Sequence, residues 1–484
     1  MTPSDMGPGR AKKAGPVVAA ALVLFPALVG LACRRAPHFV RGDAAAVVVV
    51  QRTRDAGSTP PIAEREPNNT PEQAQELTWV GIPPAAVIVG RIEGAEAGKS
   101  ADVDVFKVLV PGQLQSSDAG RAAEMLAFAK RLSMVINPQA GTALTVELLD
   151  EHVRVVKLVT AGPGETVGLP NMAVLPGCTY YLRVKAAPAP ANKGRGTPDA
   201  GAPTGGSYHM TVLLLDFEAA DEREPNDRME SAGELSWQGG SALVAGLHGW
   251  RHDEDWYRLP LDAMEPGWVL NLDLEGVEGV AAGLSVSDSA GRRIAAVRGR
   301  KGERLVLHNL VLPTVAADAG AAAAAGRWWY LVVRSENGFD RERRYVLRAE
   351  AVLSETRSGF ETEPNDDAAR ASSLADGTTT GYLPEGDVDV FRYLSTELRD
   401  LDIEVVPPSR VRIKVEVIRE RDGQVLAEAA AAKVHQTVRI RGLSCPAEPI
   451  LLRLSHGKND GNASEPYLVK LTSRLSQRDA GRPE

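Results

Sequence analysis

The chain has 484 residues, 44% hydrophobic and 24% charged, which is ordinary globular composition and length for about three domains. A net charge of −8 lacks the basic stripe that non-specific nucleic-acid binding requires, so nucleic acid is excluded as a partner. Three cysteines, Cys33, Cys178 and Cys445, cannot build a disulfide framework, and aromatics at 5% leave the cores to Val, Leu, Ile and Ala.

Residues 1–33 read as an export signal. Arg10, Lys12 and Lys13 form the positive n-region, and Val17 to Ala32 is an apolar run, short for a membrane span and interrupted by Pro26. It ends in Leu31-Ala32-Cys33, which resembles the lipobox of bacterial lipoproteins and implies lipidation of Cys33. Ordinary signal cleavage and an uncleaved anchor are the alternatives. The expected location is the cell envelope, as an exported outer-membrane lipoprotein held by a lipid anchor. Residues 34–62, rich in Arg, Ala and Pro, read as a flexible tether.

A two-part acidic pattern then occurs three times. The first part is Glu64-Arg65-Glu66-Pro67-Asn68-Asn69, Glu222-Arg223-Glu224-Pro225-Asn226-Asp227 and Glu361-Thr362-Glu363-Pro364-Asn365-Asp366. Between 23 and 35 residues after each Pro comes Asp-x-Asp: Asp102-Val103-Asp104, Asp253-Glu254-Asp255 and Asp387-Val388-Asp389. The copies span 63–217, 221–352 and 360–473, with 474–484 as a disordered tail. After each acidic segment the pattern predicts a short helix: Pro71–Leu77, Arg228–Leu235 and Ala368–Leu374. Asn69 with Glu72, and Asp227 with Glu230, have capping-box spacing. A helix cap explains one residue per copy and leaves the glutamates and the Asp-x-Asp unexplained.

Strand signals dominate the rest. Val103 to Val110 reads as a half-buried strand, and Leu144–Leu149, Leu284–Ser287 and Ile413–Ile418 alternate at period two. Ala290-Gly291 and Asp422-Gly423 mark hairpin turns. Each copy closes with two strands expected to pair: Tyr180–Val184 with Tyr208–Val212, Tyr330–Val333 with Tyr345–Arg348, and Leu451–Leu454 with Tyr467–Lys470. The expected fold is all-β: three tandem antiparallel, jelly-roll-like β-sandwiches, each with one short N-terminal helix. Insertions at Gly112–Arg131 (helical in pattern from Ala122 to Leu132), Ala186–Gly206 and Ala316–Gly326 account for unequal lengths. Asp-Ala-Gly recurs at 55, 118, 199, 318 and 479 as turn filler. Cys178 and Cys445 fall just before closing strands and read as buried free thiols. Trp79 and Trp237 stand at matching places and read as core packing.

The order Glu-x-Glu-Pro-Asn-Asp, Asp-x-Asp and a terminal Tyr-x-Leu-x-Val resembles the bacterial pre-peptidase C-terminal (PPC) domain family, to which the collagen-binding domains of clostridial collagenases belong. The resemblance covers nearly all of 63–473. It implies compact β-sandwiches whose acidic segment holds calcium. The family is found on secreted peptidases, and no peptidase motif accompanies the three copies within these residues.

The residues themselves point the same way. Calcium takes six to eight hard oxygens, and the copies offer Glu64, Glu66, Asn68, Asn69, Asp102 and Asp104; Glu222, Glu224, Asn226, Asp227, Asp253 and Asp255; and Glu361, Glu363, Asn365, Asp366, Asp387 and Asp389. Carboxylates about 4 Å apart repel by up to about 4 kcal/mol per pair at an effective dielectric near 20, and a dication removes that repulsion. The alternative is that these acids are exposed and solvated. Asn69 gives copy one a carboxylate fewer, and Glu254 leaves open which acids ligate in copy two. His248 and His252 flank Trp250 and read as loop histidines. No His-Glu-x-x-His, Gly-x-Ser-x-Gly, phosphate-binding glycine loop or Cys-x-x-Cys is present, so no enzyme is expected. The expected function is a non-catalytic surface lipoprotein whose calcium-binding modules bind a polymer or protein ligand. A structural spacer or accessory subunit of an envelope complex is the alternative, and a hydrolase with an unrecognised site is less favoured.

Overall fold

A computed structural model describes residues 60–93, 102–113, 128–187, 205–261, 264, 267–312, 328–353, 359–457 and 460–476. The expected signal, Cys33, nearly all of the tether and every Asp-Ala-Gly lie outside them. No helix among the described residues is long and apolar enough to cross a membrane.

The first repeat contains β1 (Ile62–Ala63), β2 (Gln75–Glu76), β3 (Ala85–Ile92), β4 (Val103–Leu109), β5 (Lys130–Pro138), β6 (Leu144–Leu149), β7 (Val155–Thr160), β8 (Val167–Val174), β9 (Thr179–Ala186) and β10 (Gly206–Asp216). The second has β11 (Gly233–Glu234), β12 (Ser241–His248), β13 (Glu254–Pro260), β14 (Trp268–Leu274), β15 (Ala281–Ser287), β16 (Arg293–Lys301), β17 (Leu305–Val311), β18 (Trp328–Asn337) and β19 (Asp340–Leu353). The third has β20 (Ser372–Leu374), β21 (Gly377–Leu383), β22 (Val388–Tyr393), β23 (Arg399–Val406), β24 (Ile413–Arg419), β25 (Val425–Ala430), β26 (Val438–Cys445), β27 (Ile450–His456) and β28 (Asn462–Leu475).

These strands form six sheets. In the first repeat the orders are β1-β3-β10-β5-β8 and β2-β4-β9-β6-β7; in the second, β12-β19-β14-β17 and β11-β13-β18-β15-β16; in the third, β21-β28-β23-β26 and β20-β22-β27-β24-β25. Each repeat's two sheets face one another across a buried apolar cluster, as in a β-sandwich, and Ala463 of the third repeat joins the cluster of the second. Alternation builds these faces: β9 and β24 bury every second side chain. The all-β expectation holds.

Several details differ from expectation. The short helices are absent. Pro71–Gln73 is a turn, Met229–Ser231 is one 3-10 turn, and the chain then enters β2, β11 or β20, which pair parallel with β4, β13 and β22. Segments of seven or eight residues offset the cost of nucleating a helix only with support from packing, and here the expected caps are engaged elsewhere. Asn69 Oδ1 accepts from the Val103 N–H at 3.1 Å, and Asp227 pairs with Lys157. Four of the six sheets are therefore mixed, each through one short parallel edge strand, while β12-β19-β14-β17 and β21-β28-β23-β26 pair antiparallel throughout.

The closing strands do not pair with each other. β9 lies between β4 and β6 while β10 lies between β3 and β5, and the same holds for β18 against β19 and β27 against β28. Each is a central strand of its own sheet, which lets both present an apolar face to the shared core. From Lys130 the helical pattern of the first insertion is strand β5. The strands reach Leu353 and Leu475, so Arg474 and Leu475 belong to β28 rather than to a tail. Cys445 is buried and Cys178 half-buried, both as free thiols. Trp79 and Trp237 pack against their cores. His248 is no loop residue: it ends β12, buried, with its ring 5.0 Å from that of Tyr345.

Candidate metal centres

The acidic segment is laced between the two sheets of its repeat. The N–H of the first glutamate donates to a strand carbonyl: Glu64 to Val89, Glu222 to Ala245 and Glu361 to Thr380, each at 3.0 Å. Its carboxylate accepts from the same strand two residues on, from the N–H of Arg91 (2.6 Å), Leu247 (2.9 Å) and Tyr382 (2.5 Å). The second glutamate accepts from the asparagine N–H at 2.9, 2.8 and 3.0 Å. The asparagine carbonyl then accepts from Val105, Trp256 and Val390, just beyond Asp-x-Asp on the opposite sheet. The Glu–Pro bond between them is cis in every repeat.

The two aspartates of Asp-x-Asp do different work. Asp104, Asp255 and Asp389 lie on β4, β13 and β22, fully buried at 0% exposure. Asp102, Asp253 and Asp387 stand just before those strands and accept backbone N–H groups from Glu93 (2.7 Å), Gly249 (2.6 Å) and Val388 (2.9 Å). Carboxylate oxygens come within 4.8 Å of one another in three groups: Glu64, Glu66 and Asp104; Glu224, Asp227 and Asp253; Glu361, Glu363 and Asp389. Asn69 turns to the backbone, and Asp366 is exposed beside Arg370 at 3.3 Å.

A tyrosine completes each site, and sequence reading gave it no role there. The Tyr208 hydroxyl donates to Asp104 at 2.6 Å, Tyr345 to Asp255 at 2.7 Å and Tyr467 to Glu361 at 2.6 Å. A glycine makes room for it. At Gly90, Gly246 and Gly381 a Cβ would collide with that tyrosine's ring and with the first glutamate's carboxylate. The signal was present, since β10, β19 and β28 each carry this tyrosine and β3, β12 and β21 each carry this glycine.

The three sites differ in charge balance. In the third, burial pushes Glu361 up to about 8 and Asp387 up to about 7, and lifts Glu363 and Asp389 well above the carboxylate range, with the neighbouring acids adding to the rise. Both Asp389 oxygens and Asn365 Oδ1 are buried without a hydrogen-bond partner, and the Tyr467 hydroxyl beside Asp389 donates to Glu361. The first site is similar but more open. Burial, helped by Glu64 and Asp102, pushes Asp104 up to about 9 against the Tyr208 hydrogen bond, and Asp104 Oδ1 and Asn68 Oδ1 lack partners.

The second site already holds a cation. Lys157 of the first repeat, 7% exposed, pairs with Asp227 and stands 3.9 Å from Glu224, its ammonium 3.5 Å over the Trp250 ring. In its better-bonded orientation the Asn226 amide donates to Glu224 and Asp255 at 3.1 Å each. Burial still pushes Glu222 up to about 7 and Glu224 up to about 8. A set of hard oxygens without partners or a base fits a divalent cation at the first and third sites. At the second, the lysine and the amide take up that role for Glu224, Asp227 and Asp255, and Asp253 Oδ1 is left buried without a partner.

Neither a protein-family profile nor a curated protein matches this chain. Solved structures similar to parts of it include the PBSX exported protein XepA, at 9% identity and TM-score 0.17 over 55% of this chain and 86% of that one. A Sulfolobus Turreted Icosahedral Virus protein has the same identity and TM-score over 80% and 90%. A Broad Bean Stain Virus protein has them over 60% and 95%. At that similarity they carry no argument about this protein.

Proposed function

We propose that this chain is a non-catalytic exported lipoprotein of the cell envelope, anchored through Cys33. In this reading its PPC-like modules, 63–217, 221–352 and 360–473, are stiffened by calcium and bind a polymer or protein ligand. The observation that carries the calcium part is Asp389. It is fully buried between Glu361 and Glu363 with both oxygens unpartnered, an arrangement that a hard dication satisfies and that is otherwise costly. Of the residues named from sequence, Glu361, Glu363, Asn365, Asp387 and Asp389 would hold the ion in the third site, and Glu64, Glu66, Asn68 and Asp104 in the first. The ion would neutralise the converging carboxylates and so fix the opening segment against both sheets.

A calcium titration of the chain, read by calorimetry and by melting temperature, tests this reading. Two bound ions with a raised melting temperature are expected. No heat and no shift would leave the acids as protonated structural groups.

A specific observation favours the spacer or accessory-subunit reading as the alternative. The repeats interlock through backbone: the Glu224 N–H donates to Asn171 and its carbonyl accepts from Ala173, at 3.0 and 2.8 Å. Such joints suit a protein that holds a fixed reach. Polymer and protein pull-downs with and without chelator separate the two readings, because a spacer retains no ligand under either condition.

A further inference from the structure

Both joints between repeats use one device. On β8, an outer strand of its sheet, two residues oppose Ser133 on β5, and the second of them, Asn171, takes the left-handed conformation at φ 55°. On β17 the same bulge stands opposite Asn271, with Asn309 at φ 53°. The next repeat's second glutamate docks there as a one-residue parallel bridge, Glu224 against Met172 and Glu363 against Leu310. Its N–H donates to the bulge carbonyl, and its carbonyl accepts from Ala173 or Val311. The bulge amide adds a bond of its own, from Asn171 to Glu222 at 2.8 Å and from Asn309 to the Glu361 carbonyl at 2.7 Å.

The third repeat carries the bulge, and among the described residues nothing is docked on it. β26 is the outer strand of its sheet and shifts register opposite Asp402 on β23. Gly442 stands where Asn171 and Asn309 stand, at φ 61°, and its N–H donates to Asp402 at 2.8 Å. By register Ser444 is the counterpart of Ala173 and Val311. Gly442 and the neighbouring Arg441 are exposed. The opposite end is open in the complementary sense. Glu66 is the counterpart of Glu224 and Glu363, it is exposed, and among the described residues its backbone makes no hydrogen bond. Glu222 and Glu224, covered by the repeat before them, are 2% and 1% exposed, whereas Glu64 is half-exposed.

We propose that these ends dock on each other: the β26 bulge of one chain receives the Glu64–Asn69 segment of a second copy, repeating the internal joint between molecules. Continuity with the two existing joints sets the geometry, and Arg441 facing Glu64 and Glu66 sets the charge match. The contact is heterologous, joining the last repeat of one copy to the first of the next, so it propagates beyond two copies rather than stopping at a symmetric dimer. Gly442 lacks the amide that Asn171 and Asn309 contribute, which makes the intermolecular joint weaker than the internal ones and its assembly reversible. Docking would also bury the first acidic site as the second and third are buried.

Sedimentation equilibrium on the chain carrying Cys33→Ser, so that no lipid drives association, tests this. The expected result is an average mass that rises with concentration without levelling at two copies. Ser444→Pro removes the outward N–H, and Arg441→Glu reverses the charge beside the bulge. Each should return the single-chain mass at an unchanged melting temperature. In chelator, so that the loss of a ligand at the first acidic site is not what is read, Glu66→Arg should also return the single-chain mass alone, and should regain association when mixed with Arg441→Glu. A single-chain mass at every concentration overturns the proposal, as does a closed dimer that Arg441→Glu leaves intact. If Ser444→Pro lowers the melting temperature, Arg441→Glu and the mixed pair decide.

Discussion

Lys157 on β7 of the first repeat pairs with Asp227 of the second, closing an ammonium onto a group of acids that belongs to its neighbour. It is 7% exposed and Asp227 31%. Removing one partner of a fully buried pair destabilises by about 3–5 kcal/mol, and the half-open Asp227 reduces this to about 2 kcal/mol. Lys157→Met should therefore destabilise the chelated protein by about that amount in denaturant unfolding. It should also raise the number of calcium ions bound per chain by one in calorimetry. An unchanged stoichiometry would show that Lys157 only holds the joint.

Replacing Asp387 and Asp389 together by Asn should abolish the calcium response of the third site. In chelator the same change should raise the melting temperature slightly, since it removes repulsion among buried acids. For comparison, calcium at ten times its dissociation constant stabilises the unaltered site by about 1.4 kcal/mol, a shift of a few degrees in a thermal melt.

Without calcium, stability should fall as pH rises. Glu361 and Asp387 titrate at about 8 and about 7 in the folded chain because burial disfavours their charged forms, against about 4 when unfolded. Between those limits the folded state holds more protons than the unfolded one. Stability is thus greatest near the unfolded value and is lost as pH rises through 7 to 8, by up to about 1.4 kcal/mol per pH unit for each extra proton held. Denaturant midpoints in chelator from about pH 5 to about pH 8.5 measure this slope. Millimolar calcium should flatten it by displacing the protons.

Gly381→Ala should destabilise the third repeat by about 1–3 kcal/mol, the usual effect of overpacking, because the new methyl meets the Tyr467 ring and the Glu361 carboxylate. Tyr467→Phe in the same background should not restore stability, since the ring remains in the way. A melt that matches the parent would show that the strand shifts freely there.

Cys33→Ser should release the protein from membranes into the soluble fraction, and fractionation of cells expressing each form reads the outcome directly.

Period-two alternation made the strands legible, and β6 runs over the residues expected of it, Leu144–Leu149. The acidic groups were legible because carboxylates repeated in fixed order need a shared reason. Pairing was not legible. Tyr180–Val184 and Tyr208–Val212 are near in sequence, yet each is the middle strand of a different sheet, and alternation reports a face rather than a neighbour. Lys157 was invisible for a related reason: it acts on a site 70 residues away in the next repeat. The tyrosines carried a signal only once their strands were known to cross the core from the acids.

The four residues 217–220 alone separate β10 from the docked segment that begins at Asp221. Even with the Glu224 bonds broken, that connector could lengthen the chain by only about 14 Å, at roughly 3.5 Å per residue. Under tension the first joint therefore has almost no slack. A load drawn between the repeats passes at once to the Arg131–Asp221 ion pair, 2.8 Å long and buried, and to the paired backbone beside it. The first two repeats would stretch as one piece until a sandwich itself gives way.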